Sequence, residues 1–350
     1  MLVESPPEQS AGPRVAAGPR GRRSARAAGL LLSLGVLALV CVASIAVGAR
    51  PVPLGDVWHG LFQNSGTGND VLITEVRLPR TLLGLLAGVA LGLAGAVMQA
   101  LTRNPLAEPG LMGVNAGAAA AVVTATSVLG ATSFTGYVWF AFAGAAIVSV
   151  LVYVLGGGRG ATPVRLALAG TAATAALYGY VNAVQLLDSA ALDRLRFWTV
   201  GSLAGADADV VGAVGPFIAV GVALAALVVR PLNAMEMGDD TARALGANLT
   251  RTRVLAMLAV TLLCGGATAA CGPIVFVGLM VPYLVRAVTG PDVRWILPYA
   301  AVLSPVLLIG SDIVGRIVAR PSELQVGIVT ALIGGPVFIH LVRRKRMAQL

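Results

Sequence analysis

The sequence predicts an all-α membrane protein with ten transmembrane helices, on three observations. Of the 350 residues, 57% are hydrophobic and 12% are charged. The mean hydropathy is +0.84, and a chain of this balance cannot hide its apolar side chains in a water-soluble core. Apolar runs of about 20 residues, the length that crosses a bilayer as a helix, recur along the chain.

Ten apolar segments follow a basic N-terminal tail. The tail, residues 1–28, is rich in Pro, Gly, Ala and Arg, so we expect it to be disordered and cytoplasmic. The run 29–48 is longer than the apolar part of a signal peptide, about 7–15 residues, and is expected to remain as the first crossing. One membrane domain, residues 29–343, precedes a short cytoplasmic tail, residues 344–350. The predicted crossings are 29–49, 81–101, 110–129, 134–155, 164–187, 209–229, 254–271, 273–288, 295–318 and 326–342.

Arginine distribution decides the number of crossings. The stretch 254–288 is nearly unbroken, and is either one long tilted helix or two short ones separated at Cys271, Gly272 and Pro273. Basic residues concentrate on the cytoplasmic side of membrane proteins. Ten crossings place 18 basic residues inside and 7 outside, whereas nine place 14 inside and 11 outside. Ten are therefore preferred, with both termini in the cytoplasm.

Composition and motifs argue against several classes of function. The net charge of +9 comes from loops and tails rather than from a basic patch interleaved with aromatic residues, so nucleic-acid binding is not expected. Lys345 is the only lysine, so the chain has no G-x-x-x-x-G-K-[ST] phosphate loop, and it has no H-E-x-x-H or G-x-S-x-G motif. We expect no enzyme activity, and any ATP hydrolysis must occur in another chain.

No cofactor or metal site is expected either. The cysteines and histidines are scattered without the spacing of a disulfide framework or a zinc site, and the cysteines lie in apolar segments where packing is their expected role. These residues are Cys41, Cys264, Cys271, His59 and His340.

The most distinctive stretch is 77–118. Its apolar part carries glycines at 84, 88 and 92, which fall on one helix face and permit close packing. The hairpin TRNPLAEPG then places non-helical backbone between two apolar runs, which is tolerated only in water or inside protein. The motifs in order are RLPR at 77–80, GAVMQ at 95–99, NPLAEPG at 104–110 and GVNAGA at 113–118.

These motifs resemble the FecCD/BtuC-type permease subunits of ABC importers for iron-siderophores, haem and vitamin B12. The resemblance implies the type II importer permease fold in a bacterial cytoplasmic membrane, in which two permeases enclose one pathway. It also implies a separate ABC ATPase and a substrate-binding lipoprotein or periplasmic protein as partners. RFWTVGSLAG at 196–205, TRNPLAEPG at 102–110 and GVNAGA at 113–118 look closer to ferric-enterobactin-type permeases than to the haem or vitamin B12 ones, so a ferric-siderophore is the expected substrate. Haem or cobalamin is the alternative, and homodimer and heterodimer both remain open.

The resemblance implies a docking site for the binding protein. Arg77 and Arg80 of RLPR, and Arg316 of D-I-V-x-R, match arginines that receive glutamates from the two lobes of the binding protein. Guanidinium and carboxylate form directional, charge-assisted hydrogen bonds. We expect these guanidinium groups to point outward. Snorkelling to the membrane interface is the alternative explanation for each arginine alone, and Arg316 has a local partner four residues earlier in Asp312.

The longest cytoplasmic loop contains a candidate coupling segment, 238–249. It has acidic residues at the start of a short helix and Gly246 at its end, as the helix dipole and C-cap rules favour. A solvated loop helix explains the same pattern. The resemblance to the A-R-x-L-G helix that docks on the ATPase assigns this contact to Ala242, Arg243, Leu245 and Gly246.

Gate residues follow from the same resemblance. Asn104 and Leu106 match residues that narrow the cytoplasmic end of the pathway, although Asn-Pro also favours a plain turn. In the other gate loop, residues 162–165 read TPVR and depart from the vitamin B12 importer, so no gate residue is assigned there.

Polar residues within the crossings have two explanations. Asn182 and Gln185, three apart in the fifth crossing, either line the pathway or make hydrogen bonds between helices, and the same holds for Gln99 and Asn115. No ring of carboxylates or histidines crosses the membrane, which argues against a proton-coupled relay. An ion-coupled secondary transporter and an intramembrane enzyme remain the alternatives from other classes.

Overall fold

The computed structural model describes residues 19–48, 51–63, 66, 68–131, 134–158, 162–188, 192, 196 and 198–347, and the regular structure of these residues is helical. A π-helical turn, Leu72–Arg77, leads into α4, and a 3₁₀ turn, Pro109–Met112, precedes α5. The helices are α1 Pro19–Ala46, α2 Leu54–Phe62, α3 Gly68–Val71, α4 Leu78–Thr102, α5 Val114–Val128, α6 Phe134–Leu155, α7 Pro163–Leu187, α8 Ala208–Glu236, α9 Asp239–Ala244, α10 Leu249–Cys271, α11 Val277–Thr289, α12 Val293–Val318 and α13 Val326–Met347.

Ten of these helices correspond to the ten predicted crossings. Six are long and apolar enough to cross a membrane by length and composition: α1, α4 with the turns before it, α6, α8, α10 and α12. Three shorter apolar helices, α5, α11 and α13, and the 25-residue helix α7 complete the set. The stretch 254–288 is two helices, because the chain turns at Gly272 (φ 72°) and continues through Pro273. This supports ten crossings rather than nine.

The terminal tails differ in part from the expectation. Of the predicted disordered tail 1–28, residues 1–18 lie outside the described residues, and residues 19–28 form the first turns of α1. Seven of these ten are Ala or Arg, both good helix formers, so the apolar helix extends backward through them. At the other end, α13 continues through residue 347, and residues 348–350 lie outside the described part.

Helix α4 lies at the centre of the bundle and packs against α8, α10, α11 and α12. Its glycine face makes the predicted close contacts. A Cβ atom on Gly88 would lie 2.5 Å from Pro305 Cα of α12, and one on Gly95 would overlap the carbonyl oxygen of Gly278 in α11. The small residues therefore let the backbones of neighbouring helices approach α4.

Two segments that interrupt the α-helices, 107–113 and 272–276, meet inside the bundle. Helices α5 and α11, which follow them, have 15 and 13 residues, fewer than the roughly 20 that cross a bilayer. The backbone N–H of Phe276 donates to Glu108 Oε1 at 3.3 Å, and Gln99 Nε2 donates to the Leu279 carbonyl at 2.9 Å. Burial raises the pKa of the Glu108 carboxyl, and the hydrogen bond from Phe276 opposes that rise. Irregular backbone is thus enclosed by protein, as a membrane requires.

Helix α4 connects two polar ends of the bundle, about 37 Å apart at 1.5 Å per residue. We call the end that carries Arg77, Arg80 and Arg316 the arginine end. The opposite end, which carries Arg103 and α9, we call the hairpin end.

Candidate functional site

Arg80 is the central charge of the arginine end. Its guanidinium group binds Asp312 on α12 with two nitrogen atoms, Nη2 to Oδ1 at 2.8 Å and Nε to Oδ2 at 3.0 Å. Its third nitrogen, Nη1, donates to Glu323 Oε2 at 2.7 Å. Arg316 Nε lies 3.0 Å from Asp312 Oδ2, which confirms the predicted local pair four residues apart. One buried carboxylate therefore holds two guanidinium groups together.

The C-terminal end of α1 accepts the other arginines. Arg77 Nη1 donates to the carbonyls of Ile45 and Ala46 at 2.5 and 2.9 Å. Arg316 Nη1 donates to the carbonyls of Ser44 and Val47 at 2.9 and 3.0 Å. The last carbonyls of a helix lack intrahelical partners and carry partial negative charge, so they attract cations.

The structure brings the three predicted docking arginines together but turns them inward. Arg77, Arg80 and Arg316 are 5%, 7% and 2% exposed, where outward-pointing groups were expected. The reason is that a guanidinium group at a protein–membrane boundary is stabilised by direct partners, and the end of α1 and Asp312 supply them. The sequence indicated Asp312, but not the carbonyls of α1 or Glu323, because these contacts join distant parts of the chain. The docking role itself stays a prediction.

Arg80 also lines a cavity of about 520 Å³ at the arginine end. Glu323, which pairs with Arg80 and whose side chain is 33% exposed, also lines this cavity. The Glu323 carboxylate therefore occupies a hydrogen-bond donor of Arg80, Nη1, that an acidic ligand in the cavity would otherwise bind. The remaining lining residues are Tyr137, Trp198, Ser202, Ala204, Gly205, Ala270, Cys271, Leu324 and Gln325.

At the hairpin end, Asp239 anchors the candidate coupling helix α9. Its two carboxylate oxygens pair with Arg103, after α4, at 2.6 Å and with Arg253, on α10, at 2.8 Å. Ion pairs from one carboxylate to two other elements hold α9 in a defined position on the bundle. The sequence suggested Asp239 only as a favourable residue for the start of α9, because the partners lie on separate segments.

The four predicted coupling residues have different environments. Ala242 is fully buried, Leu245 is 64% exposed, and Arg243 pairs with Asp240 in solvent. Gly246 has φ 83° and ends the helix: its N–H donates to the Arg243 carbonyl, and the Ala247 N–H donates to the Ala242 carbonyl, both at 2.9 Å. Ala242 and Gly246 therefore shape the segment, while Leu245 and Arg243 are available to a partner.

The predicted gate residues form a turn. Asn104 Oδ1 accepts the N–H of Leu106 at 3.0 Å, and the Asn104 carbonyl accepts the N–H of Ala107 at 3.1 Å. Leu106 is 39% exposed. In the second loop, Thr162 caps α7 by accepting the N–H of Arg165, and residues 159–161 lie outside the described residues. The gate role of Asn104 and Leu106 stays a prediction.

The polar residues of the crossings divide into two groups. Gln99 bonds to α11, and Asn115 Oδ1 accepts from Thr268 Oγ1 on α10 at 2.9 Å, so both make hydrogen bonds between helices. Asn182 is exposed and Gln185 is half-buried on α7. The small residues Ala172, Ala176 and Gly179 are also exposed on α7. The surface of α7 is therefore open to a pathway or to another subunit.

The cysteines occupy packing positions, as expected. Cys264 and Cys271 are buried in α10, Cys41 is half-buried in α1, and all three thiols are free. Within the described ranges, no group of three or more His, Cys, Asp or Glu side chains is placed to hold a metal ion.

These features define an integral membrane protein. It has ten apolar helices, and its charged contacts lie at its two ends. The chain belongs to the FecCD transport family, whose model matches residues 36–344. The resemblance seen in the motifs is thereby confirmed, and the protein is a transport component.

Relatives and a solved structure share most of their length with the chain. It is 45% identical over 319 residues to the ferric enterobactin transport system permease protein FepD of Escherichia coli (strain K12), with 91% of this chain and 94% of FepD covered. It is 35% identical to the permease protein FepG of the same system, with 89% and 96% covered. A solved structure of a metal-chelate type ABC transporter in an inward-facing conformation matches with a TM-score of 0.78 at 25% identity, covering 91% of this chain and 99% of that chain.

Proposed function

We propose that this protein is the permease subunit of an ABC importer that carries a ferric-siderophore across a bacterial cytoplasmic membrane. The observation that carries the proposal is the 45% identity to FepD over nearly the whole of both chains. The mechanism is alternating access powered by ATP hydrolysis in a separate ATPase. Cargo would be delivered by a substrate-binding protein, and a second permease would complete the pathway.

The second permease would pack on α7. In favour of this contact, α7 exposes small residues such as Ala172, Ala176 and Gly179, which permit close approach of helices in a membrane. Asn182 and Gln185 on the same helix would then line the pathway, while Asn104 and Leu106 narrow its cytoplasmic end. The names of FepD and FepG, two permease proteins of one transport system, favour a heterodimer.

The arginine end would receive the binding protein. Arg80 is the first contact in this proposal, because it borders the cavity and holds the partly exposed Glu323. A carboxylate of the binding protein would replace Glu323 on Nη1 of Arg80. Contact with Arg77 and Arg316 would follow if the end of α1 releases them.

The hairpin end would face the cytoplasm and the ATPase. Leu245, exposed on the segment that Asp239 anchors, is the apolar group best placed to enter a groove of the ATPase. Movement of the segment would pass to α4 and α10 through the ion pairs of Asp239 with Arg103 and Arg253. Both termini would lie in the cytoplasm.

Reconstitution tests the proposal. The protein is reconstituted with the ATPase, second permease and binding protein that form a complex with it, and uptake of radioactive iron as ferric enterobactin is measured in proteoliposomes. We expect uptake only with ATP and all partners, and haem and cobalamin as competitors should leave it unchanged. Uptake by this chain alone under an ion gradient would contradict the importer mechanism, and uptake of haem or cobalamin instead would contradict the substrate.

One variant tests coupling in the same assay. Leu245→Glu should leave ATP hydrolysis but lower uptake at least about tenfold, because a charge replaces the apolar contact. Leu155→Glu is the matched control, because Leu155 is 65% exposed and Leu245 64%, and Leu155 is the last residue of α6, outside the coupling segment and the arginine end. Equal uptake by both variants would exclude Leu245 from the coupling contact.

A further inference from the structure

An apolar groove between α4, α8 and α12 ends at two arginines. It encloses about 830 Å³, and Arg230 and Arg294 line it where α8 ends and α12 begins. Both arginines are exposed. In the described parts of the chain, neither guanidinium group makes a hydrogen bond or an ion pair. The apolar lining consists of Leu93, Val222, Ala226, Leu227, Val229, Leu297, Pro298 and Ala301.

The side chain of Asn233 joins α8, which carries Arg230, to the start of α12, which carries Arg294. Its side chain on α8 donates to Asp292 Oδ1 at 2.9 Å and accepts the N–H of Val293 at 2.8 Å. Arg230 precedes Asn233 by about one helical turn, and Arg294 directly follows Val293. The first turn of α12 is thus clamped to α8 beside the groove.

Asp292 is the carboxylate that takes part in this contact, and it lies two residues before Arg294. Its Oδ1 accepts the backbone N–H of Arg294 at 3.0 Å as well as the Asn233 amide, so it serves as the cap of α12. The guanidinium groups of Arg230 and Arg294 therefore keep their donors available.

Aromatic and basic residues mark this level as a membrane boundary. Trp295 lies 5.9 Å from the guanidinium carbon of Arg26, and the Tyr299 hydroxyl donates to the Arg26 carbonyl at 2.6 Å. Trp and Tyr concentrate where acyl chains meet headgroups, and basic residues near them attract anionic lipids. The arginines of the groove thus lie at headgroup depth, with the apolar lining at acyl depth.

We propose that the groove is a binding site for an anionic phospholipid. The lipid phosphate lies between Arg230 and Arg294, and one acyl chain follows Leu227, Leu297 and the other apolar lining residues. Guanidinium groups with free donors suit a phosphate, which accepts several charge-assisted hydrogen bonds. A zwitterionic lipid would leave the net positive charge of the site uncompensated.

The site adjoins the coupling segment, so the lipid deepens the proposed function. Arg230 also lines a second cavity, of about 440 Å³, together with Leu245 and Gly246. A bound lipid would hold the end of α8 next to the segment that contacts the ATPase. This consequence rests on the proposed function, whereas lipid binding itself does not.

Native mass spectrometry of the detergent-purified protein tests the site. Delipidated protein is titrated with phosphatidylglycerol and, separately, with phosphatidylcholine of the same acyl chains. We expect the first phosphatidylglycerol to bind about tenfold more tightly, and the Arg230→Gln/Arg294→Gln variant to lose that preference. The Arg165→Gln/Arg343→Gln variant, with the same charge change at two other exposed arginines, should retain it.

Several results would overturn the proposal. Equal binding of the two lipids by the unmodified protein would do so whether or not a variant is recovered. An unchanged preference for phosphatidylglycerol in the Arg230→Gln/Arg294→Gln variant would also overturn it. A dimer of this chain that is lost only in that variant would do the same, because it would show that a second copy, and not a lipid, occupies the groove. The measurement needs neither ATP nor partners, so its failure is distinguishable from a failure of the transport assay.

Discussion

At the scale of single residues, Arg80 combines a buried ion pair with a more accessible one. It binds the buried Asp312, whose side chain is 2% exposed, and the more accessible Glu323, at 33%. Asp312 is shared by Arg80 and Arg316, so its removal would deprive two buried guanidinium groups of their common carboxylate, at a cost of about 3–5 kcal/mol. The Glu323 contact is nearer to solvent and easier to exchange.

Glu323→Gln should therefore strengthen binding of the substrate-binding protein, because it removes the carboxylate that occupies Arg80. We expect the dissociation constant, measured by biolayer interferometry on permease in nanodiscs, to fall several-fold. Glu75→Gln is the control, because Glu75 is exposed in the turn before α4 and its substitution changes the charge equally. An equal effect of both variants would indicate general electrostatic attraction and would remove the specific role of Glu323.

At the scale of elements, the glycine face of α4 decides how closely the helices pack. Gly95→Ala should destabilise the protein by about 1–3 kcal/mol, because its Cβ would overlap the Gly278 carbonyl and force α4 and α11 apart. The control is Gly310→Ala in α12, where no atom outside the neighbouring turns of α12 itself lies within 4 Å of the added Cβ. That control should be neutral or stabilising by up to about 1 kcal/mol.

Thermal unfolding followed by tryptophan fluorescence in detergent measures the difference. The Gly95→Ala midpoint should fall by several degrees and that of Gly310→Ala should not. Unchanged midpoints in both variants would mean that α4 and α11 can move apart without lowering the free energy of unfolding, which would contradict the close packing at Gly95.

At the scale of the whole molecule, ten crossings predict the location of each end. Alkaline phosphatase fused after Gly130, between α5 and α6, should be active, because this enzyme folds outside the cytoplasm. A fusion after Leu350 should be inactive, whereas green fluorescent protein there should fluoresce. The reverse pattern at Leu350 alone would imply an odd number of crossings, and reversal at both sites would invert the protein and place the arginine end inside.

The sequence by itself determined the apolar helices of the bundle, the break at Gly272 and the family, because these depend on local hydropathy, turn-forming residues and short motifs. Only the tertiary structure decided the environment of the arginines. Arg80 and Asp312 are 232 positions apart, and the hydropathy pattern does not predict which distant group will pair with a buried charge. The same holds for the meeting of Glu108 with Phe276 and for the groove between Arg230 and Arg294. These features depend on how helices pack, and packing is set by all side chains together.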